Sequence, residues 1–391
     1  MDCAFGRTRS MGQKGIYNVV FSYEEEECGR YAAKAAVDIV EKLANGEEYN
    51  DIHLDIQDLR EIRQSHRLGP STQALVDEAV SRGIPYIRLN DASLVQLGYG
   101  INQQRIQATM TSRTSSIAVD IASNKEDTKR LLRASSIPTP KGAVVRNEYE
   151  LEEEIDYIGY PIVIKPLDAN HGKGVTTNIT NWDDALKALD AAQEYSKSVI
   201  VEQYIKGFDH RLLVINYQFT AAAKRTPACV IGDGASTIQE LVEKVNLDPR
   251  RGIGHEKVLT QITIDQHTID YLTEQKMTLE SVPAEGQVVY LKRTANLSTG
   301  GTSTDVTDLV HPSIVFMAER IARIIGLDIC GIDLMTTDIS LPLSETGGAV
   351  LEVNAAPGFR MHTAPTEGLP RNVAEPVIDM LFPQGSNPRI P

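Results

Sequence analysis

The sequence lacks the marks of several protein classes. No run approaches the roughly 18 consecutive apolar residues that a bilayer span requires, and the opening Met1-Asp2-Cys3-Ala4-Phe5-Gly6-Arg7 has no apolar signal core. Cysteine is scarce: Cys3, Cys28, Cys229 and Cys330 lie far apart and include no C-x-x-C pair, which argues against a thiol-exchange motif or a paired-cysteine zinc site and for ordinary reduced thiols. Basic residues are outnumbered, 39 against 53 acidic ones, and the resulting charge of -14 weighs against generic nucleic-acid binding, which needs a surplus of Lys and Arg on some surface. Repeats and low-complexity blocks are missing, so the solenoid classes drop out. A soluble, cytoplasmic chain is expected, and its 391 residues allow two or three packed units.

What is present reads as alternating elements. Four glutamates open an amphipathic helix over 24–43, with Tyr31, Ala32, Ala35, Ala36, Ile39, Val40 and Leu43 at helical spacing and Asn45-Gly46 as the stop. A second helix is expected over 71–82, a short strand over 85–89, and a helix led by a Ser123/Glu126 capping box that ends before Ile137-Pro138. Strands are then expected over 142–146, 161–165, 198–202, 211–216, 228–231, 287–291, 331–336 and 347–354, with helices over 182–194 and 313–325. So many adjacent strands read as α+β with antiparallel sheets, not as a doubly wound parallel sheet. Residues 246–285 are polar and irregular, which reads as a mobile insertion or lid.

Three constellations carry chemistry. Directly after the apolar strand Ile162-Val163-Ile164 come Lys165 and then Asn170-His171-Gly172-Lys173-Gly174. Period two puts Lys165 on the face of Val163. Glycines at 172 and 174 let backbone N–H groups approach an oxyanion, with Lys165, His171 and Lys173 adding positive charge. This is a phosphate cradle in physical terms, though neither a Walker loop nor a G-x-G-x-x-G turn is present, and a solvated turn is the plainer alternative. The second constellation pairs Asp333 on one strand with Glu352 and Asn354 on the next. Glu352 and Asn354 share a face, and an oxygen-only donor set suits a hard cation such as Mg²⁺; the solvated face of a hairpin is the alternative. In the third, the apolar strand ending at Glu202-Gln203-Tyr204-Ile205 turns to Asp209, offering backbone groups to an adenine edge and a carboxylate to ribose hydroxyls.

Together these residues resemble the ATP-grasp ligases, in the order Asn124-Lys125, Lys165-Pro166, Glu202 to Ile205, then Asp333, Glu352 and Asn354. A narrower resemblance is to the cyanophycin synthetase family. It rests on Asn170-His171-Gly172-Lys173-Gly174, Asp209-His210-Arg211, Arg225-Thr226-Pro227-Ala228, Asn296-Leu297-Ser298-Thr299-Gly300-Gly301 and Asn354-Ala355-Ala356-Pro357-Gly358-Phe359-Arg360-Met361-His362. The resemblance implies an ATP-grasp fold, with nucleotide between two subdomains, over residues 67–385, and a lid at about 246–303. Residues 1–66 are similar to only the later part of the family's α/β N-terminal domain. Residues 386–391 are similar to the start of a linker to a Mur-ligase-like domain, so that domain and its arginine-adding reaction are expected to be absent.

The implied reaction uses ATP and Mg²⁺ to phosphorylate the C-terminal carboxylate of a cyanophycin primer or polymer, whose backbone is poly-aspartate with arginine side chains; the amine of L-aspartate then attacks. By the same resemblance Lys125 and Lys165 hold phosphate oxygens, Gly172 and Gly174 line them, and His171 lies near the γ-phosphate. Glu202, Gln203, Tyr204 and Ile205 seat adenine, and Asp209 binds ribose. Asp333, Glu352 and Asn354 hold Mg²⁺, and Arg211 grips a carboxylate bidentately. Ser71, Ser298 and Gly300 contact the polymer end, and Asp120 stands where the family has a Glu that grips an arginine side chain. A homodimer or homotetramer is implied as well. The rival expectations are another ATP-grasp carboxylate-amine ligase, dipeptide-polymerising or glutathione-type, and a non-catalytic nucleotide-binding fragment.

Overall fold

The computed structural model describes residues 5–168, 174–254 and 257–389, which divide into two compact units. The first holds residues up to 69 together with 88–94. In it a hairpin, Gly6–Ser10 with Tyr17–Phe21, precedes two helices, Glu26–Ala44 and Ile52–His66. Glu25 caps the first helix by accepting from the Cys28 N–H, and the Tyr31 hydroxyl ties the pair by donating to Asp55 and Asp58 of the second. The second helix was not expected from the sequence: none of its residues is buried, so its apolar spacing is weak.

The second unit, residues 70–87 and 95 onward, is organised by two antiparallel sheets. Four strands, β1 (Gly142–Val145), β2 (Ile162–Pro166), β3 (Thr176–Ile179) and β4 (Val199–Gln203), form the first sheet in the order β1-β4-β2-β3. Helices Glu148–Ile158 and Trp182–Gln193 cover one face, burying Leu151, Ile155, Ala185 and Leu189 against Ile162, Ile164, Val199 and Val201. The opposite face is left to Val163 and Lys165.

The second sheet is built from β5 (Phe208–Ile215), β6 (Gln218–Thr226), β7 (Thr302–Asp305), β8 (Ile329–Thr336) and β9 (Ala349–Asn354) in the order β7-β6-β5-β8-β9. Leu212, Val214, Ile332 and Leu334 point into a core closed by Ile314, Met317, Ala318, Ile321 and Ile325 of the helix Pro312–Ile325. By period two, the odd-numbered positions of β5 and β8 face away from that core. The mixture is the expected α+β class.

Two local readings change. The helix expected after a Ser123/Glu126 box is Lys125–Ala134, but its cap is Asn124, accepting from the Glu126 and Asp127 N–H groups, and Ser123 instead ends a separate helix, Ser116–Ser123. Residues 246–285 are not irregular throughout: Asp265 caps a helix Gln266–Glu274, and Ile262 and Leu272 pack with Val230, Leu241 and Val289 into a small core of their own. Among the described residues no helix is long and apolar enough to cross a membrane.

Candidate functional site

On the open face of the first sheet, the register sets Lys165 opposite Ile200 and Glu202 opposite Val163. Cross-strand partners share a face, so Lys165 and Glu202 are diagonal neighbours, within reach of a long side chain. Lys165 Nζ donates to one oxygen of Glu202 and Lys129 Nζ to the other. Lys129 lies one helical turn beyond Lys125, the lysine singled out in the sequence, and the two therefore share a helix face. Glu202 is 4% exposed. Burial alone would raise its carboxyl, but Lys165 and Lys129 outweigh that and hold it below the usual carboxylate range. Lys129 moves the other way: desolvation lowers its ammonium, and Glu202 offsets only part of the effect.

Beyond Glu202 the chain crosses to the second sheet through residues 204–207. The Gln203 N–H donates to the Lys141 carbonyl (2.8 Å) and the Tyr204 N–H to that of Pro161 (3.0 Å). The two N–H groups nearest Glu202 are thus already committed, which leaves Ile205 to offer a backbone donor. Of the cradle, His171 and Gly172 lie outside the described residues. Gly174 lies within them at φ 66°, and a Cβ there would come within 2.8 Å of Pro166 and Tyr195, so a side chain does not fit.

The outward face of the second sheet carries the second cluster. Arg211 and Asp333 are register partners, as are Asp333 and Glu352, Gly331 and Asn354, and Asp209 and Arg225. Arg211 Nε donates to Asp333 Oδ1 at 2.5 Å, and Arg225 Nη2 donates to Asp333 Oδ2 at 2.8 Å and to Asp209 Oδ1 at 2.6 Å. Arg211 and Asp333 are 8% and 9% exposed. Burial opposes ionisation of Asp333, yet the two guanidinium groups hold its carboxyl below the ordinary range. Asp209 is raised, chiefly by burial and further by Asp333, against the pull of Arg225.

This arrangement fits a hard cation in its donor chemistry. A carboxylate offers about four lone-pair sites, so Asp333 keeps acceptor capacity beside its two arginines. Glu352 is exposed on the neighbouring strand. Asn354 turns its Nδ2 toward Asp333 Oδ1 (3.5 Å), which directs its carbonyl oxygen away from Asp333 and leaves it available as a donor. Asp209, the expected ribose ligand, is engaged by Arg225, a residue that sequence reasoning passed over. Its signal was the hairpin: the turn Asn216-Tyr217, with both residues at positive φ, brings Arg225 back to Asp209.

The other expected contacts are more scattered. Ser71 lies inside the helix Pro70–Ser81, and its hydroxyl accepts from the Phe359 N–H (2.9 Å), tying that helix to the turn that follows Asn354. Ser298 is exposed in a 3₁₀ turn held by Asn296. Gly300 follows at φ 96°, where a Cβ would meet Ile262 at 2.7 Å. Asp120 is exposed on its helix, and its side chain makes no hydrogen bond or ion pair among the described residues. His362 is 1% exposed with both ring nitrogens unpaired, and burial together with Arg211 and Arg225 pushes it down to about 3, so its ring is neutral.

Comparison with known proteins bears on the fold. Residues 1–45 match the cyanophycin synthase-like N-terminal domain, and residues 122–251 match the RimK-like ATP-grasp domain. The chain is 52% identical over 394 residues to a cyanophycin synthetase of Trichormus variabilis, covering 100% of this chain and 44% of that protein. It is 51% identical over 396 residues to one of a Synechocystis species, covering 45% of it. Among solved structures, the bifunctional glutathione synthetase of Pasteurella multocida is similar with a TM-score of 0.64 at 33% identity, over 82% of this chain and 45% of that one. The chain thus spans under half the length of the relatives it matches. With the ordered motifs on two antiparallel sheets, the chain has the ATP-grasp fold, and over its own length it is similar to part of the cyanophycin synthetases.

Proposed function

We propose that this chain is an ATP-dependent ligase that adds L-aspartate to the C-terminal carboxylate of a cyanophycin backbone through an acyl phosphate. One observation carries the reading: a buried Arg211–Asp333 pair in register with Glu352 and beside Asn354, on the sheet that follows directly from the Lys165–Glu202 strand pair. Asp333, Glu352 and Asn354 would hold Mg²⁺, which when bound neutralises charge building on the transferring phosphoryl group.

The residues of the chain then divide the work. Lys165 and Lys125 bind phosphate oxygens, with Lys129 sharing Glu202 with Lys165, and the Glu202–Ile205 strand end takes the adenine edge. Arg211 donates to Asp333 only through Nε among the described residues, so its outer nitrogens are left to grip the acceptor carboxylate as a fork. That carboxylate forms a bond to the γ-phosphorus as the bond to the β-phosphate oxygen breaks and ADP leaves. The amine of L-aspartate then forms the amide bond, phosphate departs from the acyl carbon, and the amine loses a proton.

Phosphate release with ATP, Mg²⁺, L-aspartate and a cyanophycin primer tests this. Release that requires both aspartate and primer is expected; release with other amino acids points to another carboxylate-amine ligase, and nucleotide binding without release sinks the catalytic reading. Arg211→Lys keeps the charge but loses the fork. It is expected to raise the KM for primer by roughly tenfold, the order of one lost charge-assisted hydrogen bond, with the nucleotide Kd little changed. An unchanged primer KM counts against the assignment.

A further inference from the structure

Arg251 stands at the edge of the same site and forms no ion pair among the described residues; Asp248 attracts it only from a distance. It lies on the short strand Arg251–Gly252, which pairs in parallel with Leu259–Thr260, and is 6% exposed. No carboxylate pairs with it among the described residues. Its Nη1 donates to the carbonyls of Thr260 (2.5 Å) and Gly300 (3.2 Å), and among the described residues Nε and Nη2 make no hydrogen bond. A guanidinium stays charged even when burial pushes its pKa down, and burying that charge without an anion is costly.

The surroundings place this charge near the chemistry. Leu297, in the loop that carries Gly300, packs with Ala223 and Met361, and Ala223 is the register partner of Arg211. The loop therefore covers the Arg211 face of the second sheet. A side chain at Gly300 would run into Ile262, and the Gly300 carbonyl accepts from Arg251. Arg360, in the turn after Asn354, reaches the other side of Thr260 through Nη2 to Oγ1 (3.4 Å). Two guanidiniums thus converge on one residue.

We propose that Arg251 forms a subsite for a substrate carboxylate that is not activated in the reaction. This deepens the ligase reading and rests on it for the identity of the substrate. Such a carboxylate comes either from the incoming amino acid or from the acceptor chain near its end, and the fork of Arg251 suits either.

Calorimetric titration of L-aspartate and of primer, each in the presence of ADP and Mg²⁺, tests the subsite on the wild-type chain, Arg251→Lys and Arg251→Gln. Arg251→Gln is expected to weaken one of the two ligands at least tenfold while ADP affinity and the thermal midpoint stay at wild-type values; Arg251→Lys falls between. Weakened aspartate assigns the subsite to the amine substrate, and weakened primer assigns it to the chain end. Unchanged affinity for both overturns the proposal. So does a lowered midpoint with weakened ADP binding, which marks Arg251 as a clamp between strand and loop. A wild-type chain that binds both ligands without releasing phosphate sinks the ligase reading and leaves the subsite standing. Phosphate release by a wild-type chain whose Arg251→Gln variant binds both ligands normally does the reverse.

Discussion

Asp333→Asn is expected to lower aspartate- and primer-dependent phosphate release by about 1,000-fold or more, because one carboxylate serves three neighbours. Loss of a single preorganised charge-stabilising group costs roughly 100- to 1,000-fold. Here the substitution also removes a cation donor and frees Arg211, which Asp333 holds at 2.5 Å. Asparagine has the same shape, but its amide nitrogen would face a guanidinium, donor against donor. The buried arginines would then lack a counter-charge, and breaking such a pair costs about 3–5 kcal/mol. The variant should therefore also unfold at lower urea. Chelating Mg²⁺ from the wild-type chain should abolish release in the same assay, while Asp333→Asn should respond little to added Mg²⁺. Turnover within tenfold of wild type would sink the role given to Asp333.

The parts of this site that were legible in the sequence are those whose partners are close in sequence or follow strand periodicity. Lys165 shows itself at the end of Ile162-Val163-Ile164, and Glu352 with Asn354 alternates with buried Val353. Lys129 did not, because its role depends on where the helix Lys125–Ala134 places its second turn relative to Glu202, 73 residues away. Arg225 was hidden for a related reason. Its strand β6 begins with polar Gln218 and runs through Ala221, Ala222 and Ala223, small residues with no strong strand preference, and only pairing with β5 on one side and β7 on the other makes it central. The helix Glu148–Ile158 was missed because, of its residues, just Leu151 and Ile155 are buried, which leaves little apolar spacing to read. The burial of Arg251 without an ion-pair partner among the described residues is a property of the fold, which sequence does not state.

Glu202→Gln should destabilise the protein by about 3–5 kcal/mol, the cost of leaving buried charges unpaired, measured by urea unfolding at pH 7. The carboxylate is almost fully buried, so solvent screening does little to reduce the effect, and two ammonium groups lose their shared partner at once. The pH dependence separates this from a loss of packing. In the wild-type chain the folded carboxyl titrates below its unfolded value of about 4.3. Its contribution is therefore fully present above that value and is lost as pH falls through the folded one. Without the carboxylate that acid-side slope should vanish and an alkaline one should grow. Lys129 is already lowered by burial, and removing Glu202 lowers it further. Between its folded pKa and about 10.4, the unfolded chain then binds the extra proton, so the stability of the variant should rise with pH and regain part of the loss by pH 9. A deficit that stays constant from pH 6 to 9 would show that Glu202 acts through packing and not as the counter-charge of Lys129 and Lys165.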